Sequence, residues 1–72
     1  LKAEPTLAAA WFDLGVLRYN RGEYDEASNA YLKVLEIEPS NAKAHAHLAS
    51  TYRQMERFAD ANAQYRAANE KG

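Results

Sequence analysis

The chain contains no cysteine. That removes disulfides, thiolate nucleophiles and cysteine-based metal sites, and it leaves the compartment open. Proline appears twice, glycine three times, and tryptophan once. Breakers this sparse leave room for long helices between them. Extended apolar runs are missing too. None approaches the roughly 20 residues that cross a bilayer, so no membrane insertion is expected, and no secretory or transmembrane segment is read in these residues. An excess of charge of one sign is also lacking. Nine Lys and Arg stand against ten Asp and Glu, for a formal net charge of -1. Without a basic excess to neutralise phosphates, nucleic acid is not an expected partner. At 72 residues the chain forms at most one small domain.

What is present is a helical hairpin written between Trp11 and Pro39. Trp11, Leu14 and Gly15 lie on one helix, and Gly22 breaks the pattern. Tyr24, Ala27, Tyr31, Val34 and Leu35 then form an apolar stripe at spacings of three and four, which Pro39 ends. The expected helices run over 7–20, 24–37, 42–54 and 58–69, the last fraying at Lys71–Gly72. Thr6 and Ser40 follow the two prolines and are expected N-caps. Gly22 is expected in the left-handed region that closes a helix, whereas Glu56 stands at the matching point of the second hairpin. Gly15 in mid-helix implies close approach by a partner helix, with Ala27 facing it and Ala49 facing Ala61.

The hairpin repeats. Pro5 and Pro39, Thr6 and Ser40, Leu14 and Leu48, Ala27 and Ala61, and Tyr31 and Tyr65 each stand 34 residues apart. With Trp11, Leu14-Gly15, Gly22, Tyr24, Ala27, Tyr31 and Pro39, the chain resembles the tetratricopeptide repeat (TPR) family. That family follows W-x2-L-G-x2-Y with G-x-Y-x2-A, an aromatic and a proline. Residues 8–41 match nearly all of it, departing at Arg18, where the pattern has tyrosine. Residues 42–72 are looser, with His45 in the tryptophan place and Glu56 in the glycine place. Residues 1–7 read as the end of a preceding repeat and 42–72 as a repeat cropped at its C-terminus, so a fragment of a longer array is expected. The resemblance implies an all-α fold of antiparallel helix-turn-helix repeats, stacked as part of a right-handed superhelical solenoid.

Candidate chemistry is thin. His45 and His47 are two apart, so on a helix they point to different faces and do not share a metal. His45 is expected to pack between helices. Asp13, Asp25, Glu26, Glu36, Glu38 and Asp60 read as solvated surface charge rather than general acids or bases. Ser28, Ser40 and Ser50 have no histidine placed as a base, and no glycine-rich phosphate loop exists. No catalytic residue, metal site or cofactor is expected, and the chain does not read as an enzyme. Trp11, Tyr24, Tyr31, Tyr52, Phe58 and Tyr65 are expected in the core. Phe12, Val16 and Tyr19 form a stripe separate from the face of Trp11 and Leu14.

In TPR arrays the first helix of each repeat lines a concave groove that binds a peptide of a partner protein. Carried over by position, the groove residues here are Phe12, Asp13, Val16, Tyr19 and Asn20, then Lys43, His47, Ser50, Arg53 and Gln54, with Ala9 and Ala46 between them. Phe12 and Tyr19 would anchor apolar side chains, Lys43 and Arg53 would pair with acid, and Asn20 and Gln54 would hold the peptide backbone. The carboxylate clamp with which some members hold acidic chaperone tails is not expected, because Phe12, Val16 and His47 occupy its places. The leading expectation is a protein-interaction module. The alternatives are self-assembly into a homo-oligomer through the repeat ends, and an array that steers substrates to a catalytic domain elsewhere.

Overall fold

The structure, a computed structural model, describes residues 3–71, with side chains described for 7–69. Leu1, Lys2 and Gly72, which carry part of the expected preceding-repeat tail and of the frayed end, lie outside the described residues. Four helices follow in order: α1 (Ala3–Asn20), α2 (Tyr24–Ile37), α3 (Ala42–Gln54) and α4 (Phe58–Lys71). Each packs against the next in the chain. The result is an all-helical slab with extents of 37 × 29 × 14 Å, two hairpins stacked side by side.

The middle two helices have the expected bounds, and both outer helices are longer. α1 starts at Ala3 rather than Leu7, so Pro5 and Thr6 lie inside it and Thr6 is not its cap. Proline is tolerated there because the first N–H groups of a helix have no intrahelical acceptor to lose. α4 runs on to Lys71. Ser40 is not the cap of α3 either. Asn41 is: its Oδ1 accepts a hydrogen bond from the Ala44 N–H at 2.9 Å, while its Nδ2 donates to Glu38 Oε1 at 2.8 Å.

Both hairpin turns are the same object. After α1, the Gly22 N–H donates to the Tyr19 carbonyl and the Glu23 N–H to the Arg18 carbonyl, each at 2.9 Å. After α3, Glu56 donates to Arg53 at 2.9 Å and Arg57 to Tyr52 at 2.8 Å. This is the paired closure that needs a left-handed residue, and φ is +77° at Gly22 and +61° at Glu56. The second repeat therefore keeps the glycine-type turn and forces a glutamate into it.

The core forms two clusters. One gathers Ala27, Tyr31, Leu48, Tyr52 and Ala61; the other gathers Ala8, Val34 and Ala44, with Trp11 and Ile37 packed on its edge. Val34 and Ala44 join the two repeats. Gly15 lies against Tyr31: a Cβ built on Gly15 would stand 2.6 Å from the Tyr31 ring. Phe58, expected in the core, is 58% exposed. Its counterpart Tyr24 lies edge-on to Tyr19 at 5.2 Å, but the residue equivalent to Tyr19 is Arg53, which offers no ring.

Two substitutions test this packing. Glu56→Gly should stabilise the protein by about 1 kcal/mol by removing left-handed strain, raising the melting temperature by about 4–8 °C. Gly15→Ala should run against helix propensity and lower stability by about 1 kcal/mol, read from the urea midpoint, because the new methyl displaces the sealed Tyr31 ring.

Candidate functional site

The first helices of the two repeats, α1 and α3, lie side by side, with the Phe12 and His47 ring centroids 4.8 Å apart and edge-on. Between them opens a cavity of about 290 Å³, lined by Val16, Tyr19, Asn20, Tyr31, His47 and Ser50. Its size is at the lower end of small-ligand sites and suits one or two side chains. α1 supplies three of these residues at positions 16, 19 and 20, one helical face at spacings of three and four. α3 supplies His47 and Ser50, three apart for the same reason.

Tyr31 reaches the cavity from α2 and forms its floor. The residue is 1% exposed, with its ring held edge-on to Phe12 at 5.6 Å and tilted against His47 at 5.7 Å. Burial pushes the Tyr31 phenol up to about 12, helped by the neighbouring Tyr19. His47 Nδ1 lies 2.9 Å from the Lys43 carbonyl oxygen, which can only accept, so Nδ1 carries the proton of the neutral ring and Nε2 is the acceptor. Thr51 Oγ1 donates in turn to the His47 carbonyl at 2.8 Å.

Of the groove residues read from sequence, Val16, Tyr19, Asn20, His47 and Ser50 share this cavity. Phe12 does not line it. The ring is half-buried against both core clusters, with Lys43 Nζ 5.9 Å from its centroid. The stripe of Phe12, Val16 and Tyr19 is therefore the margin of the core rather than a separate surface. Asp13, Lys43, Arg53 and Gln54 are exposed and do not line the cavity. Arg53 lies beside Tyr65, whose phenol is held below the usual tyrosine range by hydrogen bonding first from Ser50 and then from Arg53. Sequence reasoning missed Tyr31 as a lining residue. Its buried stripe position concealed a polar end, and the signal was the tyrosine hydroxyl in a place where phenylalanine would fill a core equally well.

The two repeats hold their turns by different chemistry at one position. Arg18 donates to Glu23 at 2.7 Å, and that hydrogen bond keeps the glutamate below the usual carboxylate range. Thirty-four residues on, the pair is Tyr52 and Arg57, with the guanidinium 4.6 Å from the ring centroid. His45, in the tryptophan place, packs between helices as expected. Its Nε2 lies 3.0 Å from the Pro39 carbonyl and its Nδ1 2.7 Å from the Gln64 side-chain amide. Among the described residues no three His, Asp or Glu side chains are grouped to hold a metal ion, and no helix is long and apolar enough to cross a membrane.

A protein-family model described as TPR repeat matches residues 15–56. No curated protein matches the chain.

The Tyr31 shift has a sign that can be tested. A phenol whose pKa is raised from 10.0 to about 12 on folding contributes stability that is complete below pH 10 and is lost as pH rises toward 12. The melting temperature of the parent should fall through that window, and the fall should be smaller in Tyr31→Phe.

Proposed function

The chain belongs to the tetratricopeptide repeat family, and on that premise we propose that it is a protein-interaction module which seats a partner peptide between α1 and α3. TPR repeats generally mediate protein–protein interaction and are typically non-catalytic. The observation that supports this surface is the cavity bounded by Val16, Tyr19, Asn20, Tyr31, His47 and Ser50. It has apolar walls, a tyrosine floor and hydrogen-bonding groups at its mouth, the combination by which small sites fix orientation as well as affinity.

An apolar side chain of the peptide enters against Val16 and Tyr19. Asn20 and Gln54 meet the peptide backbone, while Lys43 and Arg53, exposed on α3, pair with an acidic neighbour. Phe12 stays at the margin of the core and is no anchor, since Tyr31 and His47 already engage its ring. No bond is made or broken, and specificity comes from shape and charge. The rival readings are self-assembly through the repeat ends and substrate steering for a catalytic domain elsewhere.

The test begins with peptides selected on the chain from a displayed random library. Calorimetry then compares the parent with the double variant Tyr19→Ala, Arg53→Glu. Binding should fall by about a hundredfold or more, given one lost aromatic anchor and one reversed charge, while circular dichroism stays that of the folded protein. Undiminished binding by the folded double variant would overturn the assignment.

A further inference from the structure

The polar groups of the cavity are short of protons. The His47 Nδ1–H is held by the Lys43 carbonyl at 2.9 Å. Nε2, the ring nitrogen farther from the α3 backbone, is left with a lone pair to offer and no proton. Among the described residues nothing hydrogen-bonds to it, and no buried side-chain nitrogen or oxygen lacks a partner, so Nε2 is open rather than sealed. Ser50 is in a similar state. Its hydroxyl donates to the Tyr65 phenol, and only lone pairs remain for the cavity that it lines. The Tyr31 hydroxyl on the floor can give or accept a proton in a hydrogen bond. None of the lining residues is a lysine or an arginine.

These groups sort the side chains that could enter. A carboxylate would set its lone pairs against those of His47 and Ser50, with no cation among the lining residues to meet it. A purely apolar side chain would strip water from Nε2 and leave it without a partner, which is how a polar site rejects an isostere. A side chain that brings its own N–H or O–H satisfies Nε2. The walls describe the rest of the guest. Tyr19, Tyr31 and His47 present three rings, with Val16 beside them. Such walls favour an aromatic guest, since edge-on and offset ring pairs add to area burial.

We infer that the cavity selects a hydrogen-bond-donating aromatic side chain, a tryptophan indole or a tyrosine phenol, whose N–H or O–H is accepted by His47 Nε2. This rests on the reading of the cavity as a peptide site and adds which residue of the peptide it takes. Phe12 and Tyr31 hold the imidazole ring from two sides, and the Lys43 carbonyl fixes which nitrogen carries the proton. The acceptor is therefore in place before the peptide arrives. It belongs to the second repeat alone, because the matching place in the first is Asp13, which is exposed and does not line the cavity.

The experiment uses the whole chain and four blocked pentapeptides, each with alanines flanking one central residue. The centre is tryptophan, its benzothienyl isostere with sulfur in place of the N–H, tyrosine, or phenylalanine. Amide chemical shifts are followed in titration at about pH 8, where an ordinary imidazole is neutral. Shifts should centre on Val16, His47 and Ser50. Tryptophan should bind about tenfold or more tightly than its isostere, or tyrosine than phenylalanine, and the larger ratio names the anchor. The nitrogen resonance of His47 Nε2 should move with the donor peptide and not with its donor-free partner. His47→Phe should bring both ratios near one while the donor-free peptides still bind, an outcome that mere damage to the cavity would not give. A ratio that survives His47→Phe overturns the assignment to Nε2. Shifts at the cavity with both ratios near one in the parent overturn this inference and leave the peptide site standing. No shift at the cavity with any of the four peptides overturns both.

Discussion

The contact on which the rest of this structure depends is the Tyr31 ring lying over Gly15. A side chain of any size at position 15 would meet that ring, with even a Cβ at 2.6 Å. The absence of one lets α1 and α2 close together. The ring so placed is also the common neighbour of Phe12 and His47. One glycine in the first repeat thereby sets the depth of the hairpin, the position of the histidine on the second repeat, and the floor of the cavity between them. The mid-helix glycine, unfavourable by about 1 kcal/mol on propensity alone, is offset by the burial of a whole tyrosine, whose edge-on contact adds to its area burial.

The two repeats show how far a fold can hold its backbone while changing its residues. Glu56 adopts the conformation of Gly22 with the same two hydrogen bonds. Packing on both sides of the turn decides the backbone, and the residue accommodates. The ion pair of Arg18 with Glu23 and the stacking of Arg57 on Tyr52 occupy equivalent places. Each ties the end of a first helix to the start of a second, one by charge and one by ring and charge together. His45 replaces the bulk of Trp11 with two polar contacts, to Pro39 and Gln64, that fasten α3 to the preceding loop and to α4.

Much of the fold was legible because the period of 34 and the stripes of three and four are direct projections of helix geometry. The bounds of α2 and α3 follow from Gly22, Pro39 and the turn at Glu56. The start of α1 did not, because a proline within the first turn of a helix looks the same in sequence as a proline that ends one. Asn41 was passed over as a cap in favour of Ser40, since both are good cap residues and only geometry decides between neighbours. Phe58 was misplaced because an aromatic there needs a ring five residues earlier, as Tyr24 has in Tyr19, and Arg53 stands in that place. At the cavity, the contributions of α1 and α3 could be read from periodicity. The floor could not, since Tyr31 belongs to neither helix and its stripe position points to burial without saying which end of the side chain is covered.

The cavity draws all its walls from α1, α2 and α3, and none from α4. In a stack where each helix leans chiefly on its neighbours, local opening proceeds from an end at less free energy than global unfolding requires. α4 is nonetheless tied to it, since Tyr65 hydrogen-bonds the lining Ser50 and Ala61 packs in one cluster with Tyr31. An occupant of that space is therefore linked to the last helix through these two residues. It slows amide exchange across the first three helices and, through them, lowers the frequency at which the fourth opens.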